Sequence, residues 1–167
     1  MRFLHHLLSA LAIASAIVLC TDHGLWCQAQ NTTQDFLDAH NSARSQVGVP
    51  PLVWNLTLAT YAQDFADQIK VTCNNTQLSG GPYGENTAAG YGAFTTLDAV
   101  SQWVEEKPNY DHSLNSCLNG TECKQYTQVV WRRSKWLGCA SILCGAGWPF
   151  VVCEYDPPGN VKGEWPY

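Results

Sequence analysis

Six cysteines crowd into residues 73–153: Cys73, Cys117, Cys123, Cys139, Cys144 and Cys153. Whether they bridge depends on where the chain ends up, and its start bears on that. Arg2 precedes an uncharged apolar run, Leu7 to Leu19, and Cys27-Gln28-Ala29 offers small residues for cleavage before Gln30. These are the marks of a secretory signal over residues 1–29. A retained N-terminal anchor is the alternative, but the run is shorter than the ~20 apolar residues a bilayer-spanning helix needs. No later stretch approaches that length. Cleavage after Ala29 removes Cys20 and Cys27 and leaves an even set, which in an exported chain reads as a disulfide framework. Earlier cleavage would keep those two for an extra N-terminal bridge. Zinc competes poorly, because Cys139 and Cys144 have no second close-spaced pair and no histidine nearby. Sequence alone leaves fifteen pairings of six cysteines open.

A chain of 167 residues suits one domain with a real core, here residues 30–167, and is short for two. Four Asn-x-Ser/Thr sequons, at Asn31, Asn55, Asn74 and Asn119, are glycan acceptors if exported and are expected on surface loops. The formal net charge of -5 argues against a nucleic-acid partner, which needs a basic field. Arg132, Arg133 and Lys135, between Trp131 and Trp136, are the local exception. They could meet an anionic lipid or glycan, although a solvated charged face is the simpler expectation.

Hydrophobic spacing outlines the elements. Phe36, Leu37, His40, Ala43 and Val47 recur at helical intervals over Asp35 to Val47, with Thr33 as the expected cap and Pro50-Pro51 as the stop. Leu58, Ala62, Phe65, Ala66 and Ile69 make a second helical stripe. Residues 74–84, rich in Gly, Asn and Pro, read as loop. A third helix fits Thr95 to Glu106, with Leu97, Val100, Trp103 and Val104 inward and Pro108 ending it. Tyr126 to Trp131 suits a short helix, and Gly138 to Cys144 and Pro149 to Tyr155 suit two strands turning near Gly145 and Gly147. Helices first and strands last give an α+β class with helices covering a sheet.

Several segments together resemble the CAP superfamily, and within it the plant pathogenesis-related proteins of class one. They are Ala39-His40-Asn41-x-x-Arg44, Gly48-Val49-x-Pro51-Leu52-x-Trp54, Pro82-Tyr83-Gly84-Glu85-Asn86 and Trp103-Val104-Glu105-Glu106-Lys107. The signature Lys124-Gln125-Tyr126-Thr127-Gln128-Val129-Val130-Trp131, with Leu137-Gly138-Cys139-Ala140, and the close Cys153-Glu154-Tyr155-Asp156-Pro157-Pro158-Gly159-Asn160 complete the match. The resemblance covers nearly all of residues 30–167. It implies a three-layer α-β-α sandwich and the pairing Cys73–Cys144, Cys117–Cys123 and Cys139–Cys153.

In that family two histidines and two glutamates face a cleft that can hold a divalent ion such as zinc. The glutamates correspond to Glu85 and Glu106. One histidine position falls on Leu78, or on Gln77 when counted from Cys73, and the other on Gln125. Both imidazoles are missing, so no metal and no cofactor is expected. Glu85, Glu106 and Gln125 then form either a polar patch that holds loops or a weak hard-cation site. After signal removal only His40 and His112 remain. His40 reads as structural, and His112 would have to swing toward the cleft to matter. No nucleophile–histidine arrangement, Gly-x-Ser-x-Gly or His-Glu-x-x-His is present, so the chain is not expected to be an enzyme. A weak metal-dependent hydrolase is the least favoured alternative.

The resemblance implies a secreted, extracellular defence protein (apoplastic in a plant), monomeric, acting on microbes by binding. Sterol or fatty acid are the candidate ligands and a microbial surface the candidate target. For sterol, the family implicates the loop corresponding to residues 108–120, which carries Tyr110, Leu114 and Leu118. The second implication is a peptide precursor. Residues 157–167 resemble a released immune-signalling peptide with its own receptor, which places processing between Asp156 and Pro157. The family's usual mark there is Cys-Asn-Tyr, where this chain has Cys153-Glu154-Tyr155.

Overall fold

The computed structural model describes residues 32–73, 77–145 and 147–167. Residues 1–29, expected to be a secretory signal, with Cys20 and Cys27, and the sequons at Asn31 and Asn74, lie outside them. The chain runs α1 (Thr33–Gln46), β1 (Val53–Trp54), α2 (Leu56–Ile69), β2 (Gly84–Ala89) and α3 (Thr96–Val104). A 3-10 turn (Lys107–Asn109), β3 (Tyr110–Asp111), β4 (Ser116–Cys117), α4 (Lys124–Val129), β5 (Trp136–Leu143) and β6 (Pro149–Asp156) complete it.

The caps are local chemistry. Thr32, rather than Thr33, caps α1, in a reciprocal box with Asp35. Asn55 caps α2 by accepting from the Thr57 and Leu58 N–H groups, and Thr95 caps α3 in a box with Asp98. Gly48, at φ 69°, turns the chain after α1, so that helix stops before the Pro50-Pro51 pair rather than at it. Pro108 likewise lies in the 3-10 turn beyond α3. The buried stripe of α3 is Thr96, Ala99, Val100 and Trp103. Leu97 sits one position round the helix and is 53% exposed, contrary to the spacing-based expectation.

β1, β5, β6 and β2 form one sheet in that order, with β1–β5 parallel and the other pairs antiparallel. Phe150 and Val152 of β6 pack with Ala140 under Ala62, Phe65, Ala66 and Ile69 of α2. On the other face Leu137, Cys139, Val151, Cys153 and Tyr155 meet Val100, Trp103, Tyr126 and Val129. The result is a three-layer α-β-α sandwich with β6 buried on both sides. At Gly138 a side chain would strike the α2 backbone at Leu58–Ala59, so the glycine lets helix and sheet touch.

Only Gly84 of β2 falls in the stretch expected to be loop, residues 74–84. Hydrophobic spacing assigns no element to residues 85–89, and Gly84-Glu85-Asn86-Thr87-Ala88-Ala89 contains few strand formers. Its strand character comes from pairing with β6 along its whole length. Three disulfides join the described residues. Cys73–Cys144 joins the end of α2 to the end of β5, and Cys117–Cys123 joins β4 to α4. Cys139–Cys153 links directly opposed residues of the β5–β6 hairpin.

Candidate functional site

Leu78, Glu85, Glu106 and Gln125 line one cleft of about 370 Å³, together with Asn86, Glu122, Lys124 and Asn160. Four separate pieces of chain supply the principal positions: the loop before β2, β2 itself, the turn after α3, and the first turn of α4. Each carboxylate already holds backbone. Glu106 Oε2 accepts from the N–H groups of Gln125 and Tyr126 at 2.9 and 3.1 Å, closing the start of α4 from outside. Burial pushes the Glu106 carboxyl above its usual range, the two N–H donors oppose that, and Glu122 adds repulsion. Glu85 Oε2 accepts from the Ser79 N–H at 2.9 Å and so holds the covering loop.

Gln125 donates from Nε2 to the Thr87 carbonyl at 3.4 Å. Its Oε1 and Glu85 Oε1 are buried without a hydrogen-bond partner among the described residues. This donor set does not fit zinc. Leu78 carries no ligand atom, Gln125 offers a neutral amide, and no imidazole reaches the cleft. Among the described residues no three His, Cys, Asp or Glu side chains are placed to share an ion.

Glu154 is the cleft's unforeseen neighbour. It lies opposite Glu85 in the β2–β6 register, it is fully buried, and the Ser79 and Glu85 side chains are its polar neighbours. Burial first, then repulsion from Glu85, raises its pKa to about 8, so at neutral pH it is mainly a neutral acid. The sequence signal was present: Glu154 is the one charge in the apolar run Phe150 to Tyr155, on the face that α2 covers.

The two histidines are occupied elsewhere. His40 Nδ1 carries the proton and donates to the Phe36 carbonyl at 2.7 Å, while Nε2 accepts from the Tyr155 hydroxyl at 2.8 Å. Asn86 Nδ2 donates to that hydroxyl and to the Gln125 carbonyl, which ties the histidine network to the cleft's frame. Burial lowers the His40 pKa to about 4. His112 stacks on Tyr167 with ring centroids 4.8 Å apart, and its Nε2 donates to the Tyr167 carbonyl. It packs against the tail, not the cleft.

Residues 108–120 are a hairpin, β3–β4, rather than an open loop. Tyr110 packs inward and donates to Asn115. Leu114 and Leu118 are 71% and 47% exposed, and the structure does not gather them with Tyr110. What Tyr110 does line is a groove of about 260 Å³ against the tail, with Cys117, Cys123, Trp131, Val161 and Pro166 among its other walls. Of the described sequons, Asn119 sits in an exposed turn. Asn55 lies in the one-residue connection between β1 and α2, where its amide oxygen caps α2.

The tail is anchored by the signature helix. Gln128 accepts from the Gly159 N–H, and Thr127 donates to Asn160. A side chain at Gly84 or Gly159 would collide with the Gln128 amide. Farther along, Asn115 donates to the Glu164 carbonyl, Trp165 donates to the His112 carbonyl, and Arg132 N–H donates to the Pro166 carbonyl. Asp156 closes β6, and its carbonyl accepts from Lys135 N–H, so the bond expected to be processed lies at a paired strand end.

Residues 37–155 match the family model for CAP, the cysteine-rich secretory protein family. Pathogenesis-related protein 1A of Nicotiana tabacum is 54% identical over 142 residues, 84% of each chain. Pathogenesis-related protein 1 of Arabidopsis thaliana is 49% identical over 140 residues, 84% of this chain and 85% of that one. Among solved structures, venom allergen-like protein 4 of Schistosoma mansoni is 30% identical with a TM-score of 0.62, covering 80% of this chain and 92% of its own. The zinc-bound crystal structure of NaASP2 shares the fold at 24% identity and a TM-score of 0.67, over 89% of each chain.

Proposed function

Because this chain belongs to the CAP, or cysteine-rich secretory protein, family, we propose that it is a secreted defence protein that acts by binding rather than by catalysis. The observation that carries this reading is how the cleft carboxylates are used. Glu85 and Glu106 hold backbone N–H groups, and no imidazole stands beside them as base or metal ligand.

The favoured ligand is a sterol or fatty acid, and its best seat is the groove at Tyr110. Trp131, Val161 and Pro166 supply apolar walls, while Asn115 and Lys124 supply polar groups that can orient a hydroxyl or carboxylate. At about 260 Å³ it falls just below the range of about 300–1,000 Å³ for clefts that enclose a drug-sized molecule. One end of the lipid would therefore be held and the rest left outside. Radiolabelled cholesterol and palmitate, each titrated against the protein and a Tyr110→Ala variant, test this. Saturable binding that the variant loses is the expected result, and binding no higher than background removes the lipid reading.

A second reading, a precursor of a signalling peptide spanning residues 157–167, is favoured by the way the tail is held. Beyond Asp156 it belongs to no strand and is fixed largely through side chains of α4 and the β3–β4 hairpin. Such a segment can detach without dismantling the sheet. Peptide sequencing of extracellular fluid from stressed tissue checks it, since absence of the 157–167 fragment counts against processing.

A further inference from the structure

The basic group that follows the signature helix lines a trough rather than a flat face. Three of the chain's nine Lys and Arg residues stand at 132, 133 and 135, all exposed. With Pro157 and Pro158 they line a trough of about 570 Å³, a size typical of ligand clefts of about 300–1,000 Å³. The backbone beneath them is fixed from inside. Arg44 donates to the carbonyls of Trp131 and Ser134, Ser134 Oγ donates to the Pro157 carbonyl, and Lys135 N–H donates to the Asp156 carbonyl. The cations thus project from a braced loop, which lowers the ordering cost of binding.

The trough already holds one carboxylate. Arg133 Nη1 donates to both oxygens of Glu164, at 2.9 and 2.8 Å, with the arginine side chain 70% exposed. Arg132 and Lys135 bring further positive charge to the same trough.

We propose that this trough binds a carboxylated polysaccharide, whose sugar rings lie against Pro157 and Pro158 while their carboxylates pair with Arg132, Arg133 and Lys135. The Glu164 carboxylate is the chain's own stand-in for one of those acid groups. A polymer with an acid on each ring can engage several cations along one trough, whereas a small anion engages only one or two. The net charge of -5 repels polyanions from the rest of the surface, so attraction is confined here. A membrane fits less well. Lipid binding favours a convex patch with apolar tips, and the trough's aromatic residue, Trp131, is only 2% exposed.

Titration of the full chain with a galacturonic acid oligomer tests this. Its fully methyl-esterified counterpart, inorganic phosphate, and phosphatidylserine vesicles serve as comparisons. The expected result is salt-sensitive binding of the acid oligomer alone. Arg132→Gln combined with Lys135→Gln should weaken it about three- to tenfold, the range for exposed charge pairs. Glu164→Gln should tighten it, because it frees Arg133. Asp64→Asn, the same charge change at an exposed position of α2, should not tighten it to the same degree. No binding, equal binding of the ester or of phosphate, a preference for vesicles, or indifference to the Arg132 and Lys135 substitutions would each overturn the proposal. Equal tightening by Asp64→Asn would show a net-charge effect and overturn it as well. Unchanged thermal midpoints establish that the variants are folded.

Discussion

Burial holds the Glu154 carboxyl at about 8, and Glu85 across the strand pair pushes in the same direction. The fold therefore prefers the protonated acid. This contribution is intact below the ordinary value of 4.5 and is lost as pH rises from there through about 8. His40 has the opposite sign. It is buried neutral, lowered from 6.5 to about 4, so its contribution is intact above 6.5 and is lost as pH falls toward 4. Between 4.5 and 6.5 the two windows overlap and the effects offset each other, so thermal stability is expected to be nearly flat there and to decline above 6.5 toward about pH 8. Glu154→Gln should remove most of that alkaline decline, which calorimetry at a series of pH values will show. An unchanged decline would mean that other groups cause it. At the cleft, Leu78→His with Gln125→His would place two imidazoles beside Glu85 and Glu106. Titration calorimetry is expected to find zinc binding in that variant and none in the native chain.

Between elements, Arg44 is the main polar connection. From α1 it donates to the carbonyls of Pro50, Val129, Trp131 and Ser134. It thereby closes the end of α4 and fixes the loop that presents the basic trough. Arg44→Ala would leave several buried carbonyls unpaired and is expected to cost about 3–5 kcal/mol. Denaturant titration with an unchanged slope would measure this, and a cost within experimental scatter would show that water replaces the guanidinium. The same contact explains why Arg44 and the signature segment, far apart in sequence, function as one unit: the arginine supplies donors that a helix end cannot supply for itself.

Across the whole molecule, stapling is uneven. Cys73–Cys144 spans 71 residues and Cys117–Cys123 only 6. Loop-closure entropy gives about 4 kcal/mol for the first and about 2 kcal/mol for the second. Paired cysteine-to-alanine variants are expected to follow that order in denaturant midpoint, and the reverse order would show that strain or residual structure dominates. The sequence by itself determined the family, the helices and the central hairpin. Each of these is recorded in local spacing or in residue type at a motif position. Only the tertiary structure decided that Gly84–Ala89 is a strand, since its residues favour none and β6 supplies the partner. Pairing likewise set Glu154 against Glu85, 69 positions apart, turned His112 toward Tyr167, and closed the cationic trough with Pro157 and Pro158. Burial, pairing and charge proximity depend on what the fold brings together, and no local pattern carries that information.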